Sequence, residues 1–110
     1  MLVKYVEANE KKYPVSVNFA ALMETQEVTG KGLQDFKNFT LKDYLVLFHH
    51  ALIEGASEKG EAYKSDMEHS KKLLNHCYSE FIGMLPDFFE QLLPPEAKSK
   101  KDKKLQVEKG

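Results

Sequence analysis

The sequence contains no arginine, because all 16 of its basic residues are lysine. Arginine is the preferred side chain for binding phosphates and base edges, so its absence argues against specific recognition of nucleic acid. The single cysteine, Cys77, excludes an intramolecular disulfide and fits a reducing cytoplasm. No apolar run approaches the roughly 20 residues of a membrane-spanning helix, and the N-terminus has no signal-peptide pattern. We therefore expect a cytosolic protein with neither a nucleic-acid nor a membrane partner.

The length and composition are those of one globular domain followed by a charged tail. The chain has 110 residues, of which 42% are apolar and 30% are charged. We assign residues 1–93 to a single domain. Residues 94–110 contain six lysines against three acidic residues and almost no aliphatic side chains. This lysine-rich C-terminal tail is predicted to be disordered.

Hydrophobic periodicity predicts a mostly helical α+β fold, in which an N-terminal β-hairpin is followed by about four helices. The hairpin covers residues 2–18, with strands at 2–7 and 13–18 and a polar connection at 8–12. Because Pro14 lacks an N–H, either its strand lies at an edge or Pro14 occupies a position that faces away from a partner strand. The helices are predicted at about 19–29, 41–56, 66–85 and 87–93.

Segment 41–56 is apolar on most sides, which indicates a central helix around which the other helices pack. Thr40 and Asp43 form a variant of the capping box at its start. Leu41 and Phe48 are assigned to its buried stripe, and Gly55 is placed at its exit.

The first helix, at 19–29, has a cap signal at each end. Asn18 offers a side-chain oxygen to its first turn, and Gly30 stands where a left-handed C-terminal cap is expected. Its buried face is predicted to contain Phe19, Leu22 and Met23.

The closing helices begin at a capping box in residues 65–68 and are divided at Pro86, which removes a helical hydrogen bond. Around Pro86 lies an excess of apolar and aromatic side chains. One interpretation is that these side chains all pack inward; the other is that one side remains for a partner or a second copy of the chain. On the second interpretation, the candidate partner-binding residues are Phe81, Leu85, Phe88, Phe89, Leu92 and Leu93.

The histidines and the cysteine do not have the sequence spacing that a metal site or a catalytic pair requires. His49 and His50 are adjacent and point about 100° apart on a helix. His69 and His76 are two turns apart, about 10 Å along the axis, which is too far for one zinc ion. Neighbours such as His76 and Cys77 do not face each other on a helix, so His76 is poorly placed as a base for a thiol nucleophile. We predict no metal site, no cofactor and no catalytic residue.

Residues 1–93 resemble the tail assembly chaperones of long-tailed bacteriophages and prophages. The likeness rests on the order of four features: a hairpin ending in the sequence YPVSVN, a helix that opens with NFAALME and ends in TG, an apolar helix opening with LKDYL, and a closing helical segment with a charged tail. The second feature is similar to the family's order of Asn, Ala-Leu, Glu and Thr-Gly, which is carried here by Asn18, Ala21, Leu22, Glu27, Thr29 and Gly30.

The resemblance implies a non-enzymatic helper of tail assembly that acts in the cytoplasm of the bacterial host. Such chaperones bind the long helical tape-measure protein and keep it soluble. A longer frameshifted form present in many members of the family recruits tail tube subunits. Two other classes remain open. One is a small structural or adaptor protein that forms homo-oligomers through the hairpin edge or the closing helices, and the other is a minor enzyme that uses Cys77 or the histidines.

Overall fold

The computed structural model describes residues 2–92 and is mostly helical, with an antiparallel hairpin followed by four helices. The predicted fold class is confirmed at this level. The predicted disordered tail, 94–110, lies outside the described residues. In chain order, the elements are β1 (Lys4–Ala8), β2 (Lys11–Val15), α1 (Phe19–Thr29), a short 3-10 helix (Leu33–Asn38), α2 (Leu41–Glu58) and α3 (Met67–Leu92).

The hairpin turns through only two residues, Asn9 and Glu10, whose φ angles are 54° and 65°. Two consecutive positive φ angles allow the tightest hairpin loop, because their twist matches that of the strands. The predicted connection at 8–12 is therefore wrong: Ala8 and Lys11 are paired strand residues. The second strand ends at Val15 rather than at residue 18.

The hairpin lies on the helices. One of its faces buries apolar side chains, and the chain after β2 continues into the core with Val17. The Ser16 N–H leaves the sheet and donates to the carbonyl of Ala51 in α2, at 3.0 Å. On the other edge, the N–H of Glu7 donates to Oε1 of Glu80 in α3, at 3.0 Å. The hairpin is thus hydrogen-bonded to both long helices.

The bounds and both caps of α1 are as predicted. The N–H of Ala21 donates to Oδ1 of Asn18 at 2.9 Å, and Gly30 has a left-handed φ of 76°. The predicted buried face is wrong for two of its three residues, because Phe19 is 68% exposed and Met23 is 48% exposed. The third, Leu22, is partly buried and packs on the core. The residues of α1 that are buried are instead Ala21 and Thr25. Small side chains let α1 lie close to α2, and the Thr25 hydroxyl donates to the carbonyl of Ala21 at 2.8 Å.

The predicted capping box starts α2. Oγ1 of Thr40 accepts the N–H of Asp43 at 3.2 Å, and the Asp43 carboxylate accepts the N–H of Thr40 at 2.9 Å. The helix packs against β2, α1 and α3, and Phe48 is fully buried as predicted. Two details differ from the prediction. Leu41 is 72% exposed, and Gly55 lies inside the helix, which continues to Glu58.

The last helix, α3, is one element with a break in helical geometry at Cys77, where φ is −132° and ψ is 20°. The predicted division at Pro86 is wrong. Pro86 lies on the exposed side, where water can hydrate the carbonyl that loses its partner. The N-terminal cap is Asp66 rather than Ser65, because Oδ1 of Asp66 accepts the N–H of His69 at 2.9 Å.

Candidate functional site

An open apolar groove of about 650 Å³ runs between the start of α2 and the first half of α3. Its apolar side chains come from both helices, and charged or polar side chains stand beside them. The residues that line it are Leu41, Lys42, Leu45, Met67, Glu68, Lys71, Leu74, Asn75 and Tyr78. We call this surface the α2–α3 groove.

Helical spacing aligns the walls of the α2–α3 groove. Leu41 and Leu45 are one turn apart on α2, so their side chains lie on the same face. On α3, Met67, Leu74 and Tyr78 recur at intervals of seven and four residues, which also share one face. The groove is therefore a continuous apolar strip. Leu41 is the most exposed of the apolar side chains that line the groove. At 72% exposure, its side chain gains little hydrophobic free energy from folding.

The orientation of Leu41 is fixed by hydrogen bonds at the start of α2. The Asp43 carboxylate closes the capping box and also accepts a hydrogen bond from Nζ of Lys31 at 2.7 Å. Lys31 donates in turn to the carbonyl of Asn38 at 2.8 Å. The Lys31 hydrogen bond, and then the Thr40 N–H, lower the pKa of Asp43 below its usual value. The capping box and the Lys31 ion pair thus stabilise the start of α2, where Leu41 lies.

Behind the groove, aromatic rings join the 3-10 helix to α2 and α3. The Tyr44 ring makes an edge contact with Tyr78, with their centroids 6.2 Å apart, and Phe36 makes a closer one with Phe89, at 4.7 Å. Phe39 contacts both Phe36 and Tyr44, with ring centroids 5.7 Å and 5.3 Å away, and Phe36 and Tyr44 also contact each other at 5.7 Å. Burial raises the pKa of Tyr44. The wall that Tyr78 forms is thus supported by packed rings.

The predicted partner-binding residues do not form this groove. Phe81, Leu85 and Phe88 are fully buried, and the Phe81 ring packs against Phe48 with centroids 4.9 Å apart. These three side chains therefore face the core rather than an accessible surface, and the expectation that they bind a partner stays a prediction. They point to the core because a continuous helix past Pro86 keeps them on its inner face.

The other three predicted partner-binding residues differ in where they lie. Phe89 and Leu92 are half-buried, and Phe89 packs on the core. Leu93 lies outside the described residues. Sequence reasoning missed the α2–α3 groove because it assigned Leu41, which is 72% exposed, to a buried stripe. Periodicity identifies which residues share a face, but it does not say whether another element covers that face.

Ser70 and His49 form a pair that resembles a nucleophile and its base. Nδ1 of His49 lies 2.7 Å from Oγ of Ser70, which is also 2.8 Å from the Tyr63 hydroxyl. Ser70 is fully buried, so a substrate has no access to its oxygen. Burial, with a contribution from the charge of His50, lowers the pKa of His49. The arrangement fastens the loop before α3 to α2 and satisfies a buried hydroxyl.

The thiol of Cys77 is buried and donates to the carbonyl of Leu73 at 3.3 Å. Burial, followed by the nearby charge of Glu80, raises its pKa to about 11. Adjacent His76 is exposed, so the two side chains point in different directions. Within residues 2–92, no three His, Cys, Asp or Glu side chains are grouped closely enough to hold a metal ion.

No known protein family, curated protein or solved structure matches this chain. Among the helices of residues 2–92, none combines the length and the apolar content that crossing a membrane requires.

Proposed function

We propose that this protein is a non-enzymatic tail assembly chaperone of a long-tailed phage or prophage. It binds the helical tape-measure protein in the host cytoplasm and keeps it soluble while the tail is built. The order of sequence features described above supports the proposal. The single observation that carries it is the α2–α3 groove, because an apolar groove between two helices suits an amphipathic client helix.

The energetics of such a groove suit reversible binding. Covering a leucine-sized side chain contributes roughly 1.5–3 kcal/mol, and the groove offers only a few such side chains. Much of that gain offsets the entropy lost when two molecules associate. A chaperone must release its client when tube subunits polymerise. Weak binding at many sites along a long helical client allows that release and still keeps the client covered.

The burial of the reactive side chains supports a role without catalysis. The Cys77 thiol has its pKa raised to about 11, and the hydroxyl of Ser70 is enclosed. In contrast, the groove exposes the Leu41 side chain to solvent and leaves Leu45 and Met67 partly exposed. The proposed binding surface is accordingly the α2–α3 groove, and it replaces the cluster around Pro86.

Co-expression with the tape-measure protein of the same phage or prophage tests the proposal. The Leu41→Glu variant places a charge at the mouth of the groove, on a side chain that is already exposed, so the fold should survive. Val28→Glu is the matched control, because Val28 on α1 is 62% exposed and lies outside the groove. The parent protein and Val28→Glu should keep the client soluble, and Leu41→Glu should lose most of that effect. A client that is equally insoluble with and without the parent protein contradicts the proposal.

A second candidate function is a small adaptor protein that forms homo-oligomers. It is favoured by the exposed pair Phe19 and Met23, which lie one turn apart on the outer side of α1. Light scattering after size-exclusion chromatography tests it. A concentration-dependent oligomer that dissociates in the Phe19→Ser variant supports the adaptor, and a monomer at every concentration removes it.

A further inference from the structure

The rim of the α2–α3 groove carries more positive than negative charge. Lys42 and Lys71 stand beside the apolar side chains, together with the single acidic residue Glu68. Lys42 makes no ion pair with any residue in 2–92. Lys71 lies 3.5 Å from Glu68, but both side chains are at least 60% exposed, so this pair is weak.

Both helices of the groove also begin there. Leu41 is the first residue of α2, and Met67 is the first residue of α3. The N-terminus of a helix carries a partial positive charge from its unpaired N–H groups. Each of these N-termini is already capped by a carboxylate, Asp43 on α2 and Asp66 on α3. The preference for an anionic side chain at the rim therefore rests on Lys42 and Lys71.

The length of the groove limits the segment that fits. Its α3 wall extends from Met67 to Tyr78, which at 1.5 Å per residue is about 16 Å. A helix of that length has about three turns. Such a helix presents three apolar side chains to the strip, at spacings of three or four residues.

Building on the proposed function, we propose that the α2–α3 groove selects helical segments of its client whose apolar stripe is flanked by aspartate or glutamate. The apolar stripe covers Leu41, Leu45 and Leu74, while the acidic flanks lie beside Lys42 and Lys71. The chain's own C-terminal tail does not have this chemistry, because residues 94–110 carry six lysines against three acids. Like charge at the rim disfavours that tail as the occupant.

Two synthetic 14-residue peptides test the proposal by fluorescence anisotropy. Both have leucine at the third, seventh and tenth positions; one has glutamate at the flanking positions and the other has lysine. The glutamate peptide should bind the full-length protein roughly three- to tenfold more tightly than the lysine peptide. Its advantage should shrink as salt is added, because exposed charges are screened.

Charge reversal on the protein supplies the control. The Lys42→Glu/Lys71→Glu double variant should lose the preference or reverse it. Lys12→Glu/Lys37→Glu makes the same change in net charge on exposed lysines outside the groove, and it should keep the preference.

The outcomes separate this inference from the function on which it rests. Equal binding of both peptides overturns the acidic preference and leaves the chaperone proposal standing. If neither peptide binds, the preference is removed, and an insoluble client in co-expression then removes the chaperone as well. Self-association of the protein that is abolished by Leu41→Glu would assign the groove to a second copy, which also overturns the inference.

Discussion

The backbone of Gly55 in α2 lies directly against the backbone of Pro14 in β2. A Cβ atom at position 55 would stand 2.4 Å from the carbonyl oxygen of Pro14 and 2.5 Å from Cα of Val15. Real Cβ atoms do not approach backbone atoms so closely, so glycine is what allows the hairpin to rest on the central helix. This contact links the only two strands within residues 2–92 to the core helix.

Replacing Gly55 with alanine should therefore destabilise the protein. The helix and the strand must move apart, and we expect the free energy of unfolding to fall by about 1–3 kcal/mol or more. Gly83→Ala is the matched control, because Gly83 is also helical but has nothing within 4 Å of a Cβ position. That variant should gain about 0.5–1 kcal/mol. Urea unfolding followed by circular dichroism measures both values, and equal effects at the two positions would contradict the packing described here.

A second prediction concerns Asp43, which accepts from both the Thr40 N–H and Nζ of Lys31. Asp43→Asn removes the charge but keeps a side-chain oxygen, and it should cost about 1–2 kcal/mol. A double-mutant cycle with Lys31→Gln should show that the two sites are coupled. Additive effects of the two substitutions would mean that the ion pair contributes nothing to stability.

The same carboxylate predicts an acid-sensitive component of stability. Because the pKa of Asp43 is lower in the folded state than in the unfolded chain, its stabilising contribution is complete above the ordinary carboxyl pKa, about 4. That contribution is lost as the pH falls through the lower, folded-state pKa. The parent protein should thus lose more stability than Asp43→Asn between pH 5 and the acid limit. Equal losses of unfolding free energy in the two proteins would contradict this role of the Asp43 carboxylate.

Local signals predicted both ends of α1 and the start of α2. Asn18 and Gly30 cap α1, and Thr40 with Asp43 starts α2, because these contacts are made between residues close in sequence. The buried side of α1 could not be predicted in the same way. Its direction depends on how closely α1 approaches α2, and Ala21 permits a closer approach than Phe19 does.

Hydrophobic periodicity could not predict the candidate site either, because the site also depends on how the helices pack. Leu41 and Leu45 have the spacing of core residues, and only the arrangement of α2 and α3 shows that their strip is open. The helix break was also misplaced. Proline is the strongest local signal for a break, but Pro86 lies on the exposed side of α3, which is continuous there. The departure from helical geometry is instead at Cys77.

A fourth prediction uses His49, whose imidazole is 2.7 Å from the buried hydroxyl of Ser70. Burial lowers its pKa in the folded state, so the unfolded chain takes up a proton first as the pH falls. Stability from this group is complete above the ordinary histidine pKa, about 6.5, and declines as the pH drops from there through the folded-state pKa. Urea unfolding at intervals between pH 8 and 5.5 should show this decline. In His49→Gln the decline should be smaller, and an unchanged slope in that variant would exclude His49 as its source.

The last prediction concerns Cys77, whose chemistry separates a packing role from a catalytic one. Raising its pKa to about 11 lowers the reactive thiolate fraction at pH 8 by roughly a hundredfold, and burial excludes the reagent as well. Native protein should therefore react slowly with a thiol-specific disulfide reagent and rapidly in denaturant. The matched control is the Cys77→Ala/Ser79→Cys double variant, which moves the thiol two residues along α3 to an exposed position and should react rapidly in the native state. Rapid reaction of native Cys77 would show that the thiol is accessible, and a thiol-dependent activity would then have to be tested directly.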